Sequence, residues 1–163
     1  MSQPSEPKSR LTVTEAHDAL VLAGAIDETA ALSGLLARAR DGRLVLDLAG
    51  VTFINSLGVR DWIRLIASAQ QKPIALELRR VAEPVVQQLN MIIATRGTAH
   101  VTSFFAPYAC DKCGREESLL VDADANRAAL ARLEAPPQKC PECGGAMVFN
   151  DFPERYFSFL SAS

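Results

Sequence analysis

The sequence contains few residues of the types that usually catalyse reactions. It has two histidines and four cysteines in 163 residues, and no cysteine precedes position 110. Ser103 and Ser118 have no histidine that the sequence would place beside them, so a triad of serine, histidine and acid is not indicated. No Gly-rich phosphate-binding loop is present either. This composition predicts that the chain is not an enzyme.

The sequence also lacks a long apolar run and an excess of charge of one sign. No stretch of about 18 apolar residues occurs, which predicts that no segment spans a membrane. Residues 1–10 lack the apolar centre of a secretory signal, so we expect a disordered tail there and a cytoplasmic location. Lysine and arginine number 17 against 19 acidic residues, a balance that gives no footprint for non-specific nucleic-acid binding.

Two matched Cys-x-x-Cys pairs stand out near the C-terminal end. Each pair is followed at once by glycine, whose tolerance of positive φ lets backbone N–H groups turn toward the sulfurs. In a reducing compartment four thiolates complete a closed tetrahedral shell around Zn²⁺ more readily than they form two disulfides. The pattern therefore predicts one structural Zn²⁺, in preference to a reactive dithiol or unlinked thiols. Its ligands would be Cys110, Cys113, Cys140 and Cys143.

The region around these cysteines is acidic. Residues 107–163 contain six Lys/Arg and nine Asp/Glu, a net charge of −3, whereas residues 1–106 contain eleven and ten, a net charge of +1. A negative region is repelled by phosphate, so nucleic acid is a disfavoured partner. A zinc ribbon that binds nucleic acid remains an alternative of another functional class.

Strands and helices are expected to alternate through residues 11–106. Such alternation predicts an α/β domain with a mixed, mostly parallel sheet, followed by a small zinc-ribbon element over residues 107–163. The expected strands are two within residues 11–26, then Leu44–Leu48, Pro73–Leu78 and Val101–Phe105. The expected helices are Thr29–Arg40, Leu57–Gln70 and Pro84–Asn90. In the second helix the predicted buried stripe is Val59, Trp62, Ile63, Ile66 and Ala67.

The C-terminal region gives weaker element signals. We expect a strand at Ser118–Val121, a helix over Arg127–Glu134 capped by Asp124, and a strand at Ala146–Phe149. Five of the ten aromatic residues follow within positions 149–159. They are expected to pack the small ribbon, which cannot build a core by itself. Any of them that stay exposed would form a partner-binding or homodimer patch.

Two stretches resemble the STAS domain, the module of bacterial anti-sigma factor antagonists and of the cytoplasmic tails of sulfate transporters. They are Gly-Ala-Ile-Asp at 24–27 and Leu-Val-Leu-Asp-Leu-Ala-Gly-Val-Thr-Phe-Ile-Asn-Ser-Leu-Gly-Val at 44–59. The resemblance covers the domain assigned to residues 11–106. It implies a non-enzymatic fold that acts by docking, and it makes Asp47 a strand-end residue that positions the following loop.

The resemblance also implies where docking occurs. The family pattern Asp-Ser-Ser-Gly-Leu becomes Asn55, Ser56 and Leu57 ahead of Gly58, so leucine stands where the family carries its phosphorylated serine. A leucine cannot be phosphorylated, and the family's usual phosphate switch is therefore not implied. The implied docking surface, within residues 53–64, consists of Asn55, Ser56, Leu57, Arg60, Asp61 and Arg64.

Several polar residues allow more than one interpretation. Ser56 is expected to cap the helix that follows, and its alternative is a phosphorylation site favoured by the helix dipole. Arg79 and Arg80 would line a solvated rim or, with Arg60 and Arg64, would gather an anion or an acidic partner surface beside Ser56 at the start of that helix. His17 and His100 have no metal ligand at suitable spacing, so neither is expected to take part in a site.

The functional expectation is a bacterial signalling or scaffold module that binds another protein. Its partner would be a signalling kinase, an anti-sigma factor or a scaffold component, and a homodimer is a further expectation. The first alternative is an anti-sigma factor antagonist regulated by phosphorylation of Ser56.

Overall fold

The computed structural model describes residues 9–161, which form two β-sheets and five α-helices. Residues 1–8 of the predicted tail lie outside the described residues. Ser9 and Arg10, also assigned to that tail, pair with Ala25 at the edge of the first sheet. The strands are β1 Thr12–Ala16, β2 Ala19–Ile26, β3 Arg43–Ile54, β4 Ala75–Arg79, β5 His100–Val101, β6 Ser103–Cys110, β7 Glu116–Asp122, β8 Gln138–Lys139 and β9 Ala146–Phe149. The helices are α1 Ser56–Gln71, α2 Glu83–Met91, α3 Arg127–Ala131, α4 Pro153–Tyr156 and α5 Ser158–Ser161.

The first sheet has the order β1-β2-β3-β4-β5 and is parallel except for the β1–β2 hairpin. The expected mixed, mostly parallel α/β sheet is confirmed. Every residue from Leu44 to Leu48 is buried, which means that both faces of β3 are covered, as its continuous apolar run predicts. In the part of the chain described, no helix is both long and apolar enough to cross a bilayer.

The predicted helix Thr29–Arg40 is wrong. Only a single 3₁₀ turn, Leu36–Arg38, forms within it. The carboxylate of Asp27 accepts hydrogen bonds from the N–H and the hydroxyl of Thr29, at 2.9 and 2.6 Å, which fixes a turn instead of a first helical turn. Gly34 weakens helix propensity further. The leucines at helical spacing are nevertheless buried, because the loop packs against the core through Leu32, Leu35 and Leu36.

Helix α1 is present close to its predicted bounds, but its buried stripe is rotated. Leu65 and Ala69 are buried, whereas Ala67 is exposed and Ile63 is only half-buried. The stripe through Val59, Trp62, Leu65 and Ala69 follows the three- and four-residue spacing of one helix face. Ile63 lies beside that face and consequently borders a surface groove.

The expected strand Val101–Phe105 is divided between the two sheets. Val101 pairs with β4 in the first sheet, whereas Phe104 pairs with β7 in the second. The second sheet has the order β7-β6-β9-β8, and its central strand β6 crosses position 106, the expected domain boundary. A bridge between Val81 and Phe104 joins the sheets, and one apolar cluster contains residues of both.

Helices α4 and α5 cover the junction between the sheets. The Phe159 ring meets Phe104 edge-on, with 5.2 Å between the centroids, and Phe157 stacks on Phe149 at 4.8 Å. The aromatic residues therefore pack against the junction, while Phe152 stays exposed. Asp124 does not cap α3: Asn126 precedes that helix, which ends at Ala131 instead of Glu134.

Candidate functional site

Four cysteine sulfurs converge at one end of the second sheet. Cys110 Sγ lies 3.5 Å from Cys143 Sγ, and Cys113 Sγ lies 3.7 Å from Cys140 Sγ. All four sulfurs lie within 4.8 Å of one another. Metal–sulfur bonds of about 2.3 Å in a tetrahedron give sulfur separations of about 3.8 Å. The four side chains, predicted from spacing alone, are therefore placed where one tetrahedral metal ion fits.

The backbone around each cysteine pair is the same. Gly114 and Gly144 have φ of +77° and +72°, a conformation that side chains disfavour. The Gly114 N–H donates to the Cys110 carbonyl at 3.1 Å, and the Gly144 N–H donates to the Cys140 carbonyl at 2.9 Å. Gly145 serves a different purpose, because a Cβ there would lie 2.9 Å from Lys112 Cβ and 3.3 Å from the Cys110 sulfur.

Backbone N–H groups favour thiolate at this cluster. The N–H groups of Cys113 and Lys112 each lie 3.4 Å from Cys110 Sγ, and they lower the pKa of that thiol to about 6. The N–H of Gly145 lies 3.4 Å from Cys143 Sγ, yet the neighbouring Cys110 sulfur raises the pKa of Cys143 to about 12. The first thiolate thus makes ionisation of the next thiol less favourable. A cation among the sulfurs would offset this repulsion between thiolates.

The start of α1 is held by Asn55 and Gly58. The Asn55 carboxamide oxygen accepts from the Gly58 N–H at 2.9 Å, and this bond satisfies one of the free donors at the helix start. A Cβ on Gly58 would lie 1.9 Å from the carbonyl oxygen of Ile26, so only glycine lets α1 begin this close to β2. Asn55, and not Ser56, is therefore the capping residue. The helix begins one residue earlier than the sequence predicted.

Ser56 and Leu57 are both exposed on the first turn of α1. The Ser56 hydroxyl makes no hydrogen bond with residues 9–161, and the first turn contains no acidic residue. Leu57 keeps 42% of its surface exposed. The helix start thus presents one free hydroxyl and one large apolar side chain to solvent.

A groove of about 580 Å³ runs along α1 and the end of α2. Arg60 and Arg64 stand along it and share the carboxylate of Asp61, at 3.1 and 3.5 Å. The structure thus brings four of the six residues of the implied docking surface to the groove, while Asp61 pairs with two of them and Leu57 adjoins Ser56 in sequence. The groove is lined by Ile54, Asn55, Ser56, Val59, Arg60, Ile63, Arg64, Gln88 and Ile92.

Sequence reasoning missed an apolar rim beside this groove. Met91, Ile92 and Ile93 follow one another at the end of α2, with 75%, 36% and 80% of their surfaces exposed. The signal in the sequence was a run of three large apolar residues that begins directly after Asn90, the predicted end of the helix.

Arg79 and Arg80 do not join Ser56 in an anion site. Arg79 forms ion pairs with Asp18 at 3.1 Å and Glu77 at 3.2 Å, and its guanidinium lowers the pKa of Asp18. Arg80 lies 3.3 Å from Asp47. In the β3–β4 register Arg79 stands opposite Asp47, and β3 continues to Ile54 before the Ser56 loop. At about 3.3 Å per residue, those seven residues place the arginines on the order of 20 Å from Ser56.

Asp47 lies within β3 and not at its end, because the strand continues to Ile54. Its carboxylate accepts from the Ala49 N–H at 3.1 Å and pairs with Arg80. His17 occupies the predicted turn with φ of 53°. His100 lies 3.0 Å from a carboxylate oxygen of Asp124, a partner that the sequence did not indicate.

Comparison with known proteins adds no family assignment. No protein-family model matches the chain, and no curated protein matches it. The STAS resemblance of residues 11–106 accordingly remains a prediction that rests on the residues quoted above.

Proposed function

We propose that this chain is a non-enzymatic docking module that binds a partner protein through the groove beside α1. The observation that carries the proposal is the exposed apolar rim Met91–Ile93, whose middle residue, Ile92, lines the same groove as Arg60 and Arg64. Exposed apolar surface of this kind, rimmed by polar residues, is typical of protein-binding sites. The STAS resemblance, which implies docking at the same loop and helix, supports it independently.

The chemistry of the groove defines the partner segment. Leu57, Ile63 and Ile92 offer apolar contacts, and two arginines share the single carboxylate of Asp61. A complementary segment therefore carries apolar side chains with carboxylates beside them. A signalling kinase, an anti-sigma factor or a scaffold component with such a segment fits the proposal, as does a second copy of this chain.

The cysteine cluster is proposed to hold a structural Zn²⁺. Four sulfur donors suit Zn²⁺, and a four-thiolate shell leaves no open position for a water nucleophile. All four arginines of residues 107–163 pair with carboxylates, which supports a structural role over nucleic-acid binding. All four cysteines are free, and the zinc proposal includes a reducing, cytoplasmic location, where thiolates stay available as ligands.

Phosphorylation of Ser56 is a second candidate function. The exposed hydroxyl without a hydrogen bond favours it, and Arg60 lies one helical turn further along α1. A phosphate there gains from the helix dipole and from the arginine. Mass spectrometry of the protein from its native cell tests it. Phosphate on Ser56 supports this function, and a Ser56 that is unmodified under all growth conditions sampled contradicts it.

The docking proposal is tested in two steps. A photo-crosslinking amino acid at position 92 first captures the partner in the native cell, and calorimetry then measures its affinity for the purified chain. We expect Ile92→Asp, and separately the double change Arg60→Glu with Arg64→Glu, to weaken binding by at least about tenfold.

The control is Val148→Asp, because Val148 is an exposed β-branched apolar residue on β9, away from the groove. This control should bind as the wild type does. If the captured partner is a second copy, Ile92→Asp should convert a dimer to a monomer in analytical ultracentrifugation. Equal affinities of the wild type and both groove variants would refute the proposal.

A further inference from the structure

A second cavity lies where the two sheets meet, apart from the cysteines and from the α1 groove. It has a volume of about 330 Å³. Val101 of β5 and Arg96 contribute from the first sheet's side, whereas Ala123, Leu130 and Phe157 contribute from the C-terminal region. This volume lies within the range of roughly 300–1,000 Å³ that small-molecule sites occupy.

The floor of the cavity is apolar. Val101, Ala123, Leu130 and Phe157 line it, and each is almost fully buried, with Phe157 only 1% exposed. Such a floor gives an apolar group of a ligand a place to leave water, at a gain of about 25 cal/mol per Å² of surface removed.

Charged residues also line this cavity, and one of them, Arg96, makes no ion pair with residues 9–161. Asp124 pairs with Arg127 at 2.9 Å and with His100 at 3.0 Å, so its carboxylate is already shared between two partners. Arg96 is half-buried and, among residues 9–161, makes no ion pair. Its burial lowers the pKa of the guanidinium, which nevertheless stays charged. The cavity thus holds a partly desolvated guanidinium that no carboxylate of residues 9–161 pairs with.

We propose that this cavity binds a small organic carboxylate with an apolar body. The carboxylate pairs with the guanidinium of Arg96, whose planar fork matches two carboxylate oxygens. The apolar body lies on Leu130 and Phe157. Because Arg96 and Leu130 come from opposite sides of the junction, the ligand bridges the two sheets and stabilises their contact.

The test uses the whole protein and three monocarboxylates as probes: benzoate, 2-naphthoate and octanoate, each beside its neutral amide. We expect saturable calorimetric binding of at least one carboxylate with Kd below about 1 mM, and binding of its amide at least about tenfold weaker. Arg96→Gln should reduce the affinity for the carboxylate by the same factor. In NMR spectra the shifted amides should include those of Val101 and Leu130.

Arg132→Gln is the control, because it removes a guanidinium in the same way, but one that pairs with Glu134 outside the cavity. The control should bind the probe as the wild type does. The proposal is overturned if no carboxylate saturates the wild type, if Arg96→Gln binds as tightly, or if the amide matches the acid. A failure of docking at the α1 groove leaves these results unaffected.

Discussion

Gly58 lies where the first turn of α1 passes over the end of β2, and no other residue fits there. A Cβ would meet the Ile26 carbonyl oxygen at 1.9 Å, and backbone cannot move away as a flexible side chain can. Gly58→Ala should therefore lower the free energy of unfolding by about 1–3 kcal/mol, although alanine is the better helix former. Urea denaturation followed by circular dichroism measures the change.

Gly34→Ala provides the control for this prediction. No atom lies within 4 Å of the added Cβ, so the substitution should be neutral or should stabilise the protein by about 0.4–1 kcal/mol. Equal unfolding midpoints for the two variants would show that α1 is not held against β2 as described.

The two tyrosines are both buried, and their burial makes the stability of the folded protein depend on pH in the alkaline range. Burial raises the pKa of Tyr108 to about 12 and raises that of Tyr156 as well. The Tyr108 hydroxyl donates to the Pro136 carbonyl at 2.9 Å, and the Tyr156 hydroxyl donates to the Phe105 carbonyl at 2.6 Å. The folded state therefore favours the neutral phenols.

The sign of the pH dependence follows from these raised pKa values. The stabilising contribution is complete below the unfolded value of 10.0 and is lost as the pH rises through the folded values. We expect phenolate absorbance to appear only above the ordinary range in the native protein, together with unfolding. Native phenolate absorbance that rises near the ordinary value would contradict the burial of both rings.

At the scale of elements, Asn90 fastens the C-terminal helices to α2. Its side-chain N–H donates to the Tyr156 carbonyl at 2.9 Å, and its oxygen accepts from the Phe159 N–H at 2.8 Å and from the Ser158 hydroxyl at 2.9 Å. Asn90→Leu removes the partner of the half-buried Tyr156 carbonyl and Phe159 N–H, while the Ser158 hydroxyl can still donate to the Arg155 carbonyl at 3.0 Å. We expect a loss of about 2–4 kcal/mol in the free energy of unfolding and a weaker aromatic circular dichroism signal.

Asn126→Ala is the matched comparison, since the Asn126 side chain makes one exposed hydrogen bond, to the Asp122 carbonyl at 2.8 Å. That substitution should cost less than about 1 kcal/mol. If the Asn90 and Asn126 variants lose the same stability, the helices α4 and α5 are not fastened through Asn90.

Elements whose signals are local were predictable, and those decided by distant contacts were not. The run Leu44–Leu48 and the periodicity of α1 carry their own information, and so do the cysteine spacings. The helix expected at 29–40 failed because leucines at helical spacing can also be buried by a loop. Nothing near Thr102 in sequence shows that the chain passes from the first sheet to the second there. The strand after Thr102, β6, pairs with β7, which lies further along the chain.

The candidate sites divide in the same way. Spacing alone predicted that the four cysteines come together, because each pair is local and the two pairs supply the four ligands that one metal ion takes. Of the two alternatives for Arg79 and Arg80, the anion site is not formed, because Arg79 pairs with Asp18, 61 residues away in sequence. The apolar rim at Met91–Ile93 depends on which side of α2 the core occupies, and periodicity over nine residues does not fix that.

At the scale of the whole molecule, strand β6 connects the metal-binding end to the shared core. Phe104, near one end of the strand, is completely buried at the junction, while Cys110 ends the strand at the cysteine cluster. Removing the metal by chelation, or changing Cys113 to Ser, should unfold the two Cys-x-x-Cys turns, β8 and the adjoining end of β9. Metal binding and folding are coupled in such sites. Lys112→Ala, which keeps all four sulfurs and the Cβ at position 112, should retain the metal and its structure.

The first sheet should outlast this loss because the cysteines lie at the far end of the second sheet, although Cys110 and Cys140 belong to the apolar cluster that both sheets share. Trp62, the single tryptophan, is 1% exposed and donates its indole N–H to the Thr95 carbonyl at 2.7 Å, far along the chain from the cysteines. Its fluorescence should therefore stay unchanged on metal removal, while amide exchange accelerates in β8 and β9 but not in β2 and β3. Simultaneous loss of Trp62 fluorescence and of protection in both sheets would instead show that the shared aromatic junction makes the molecule one cooperative unit.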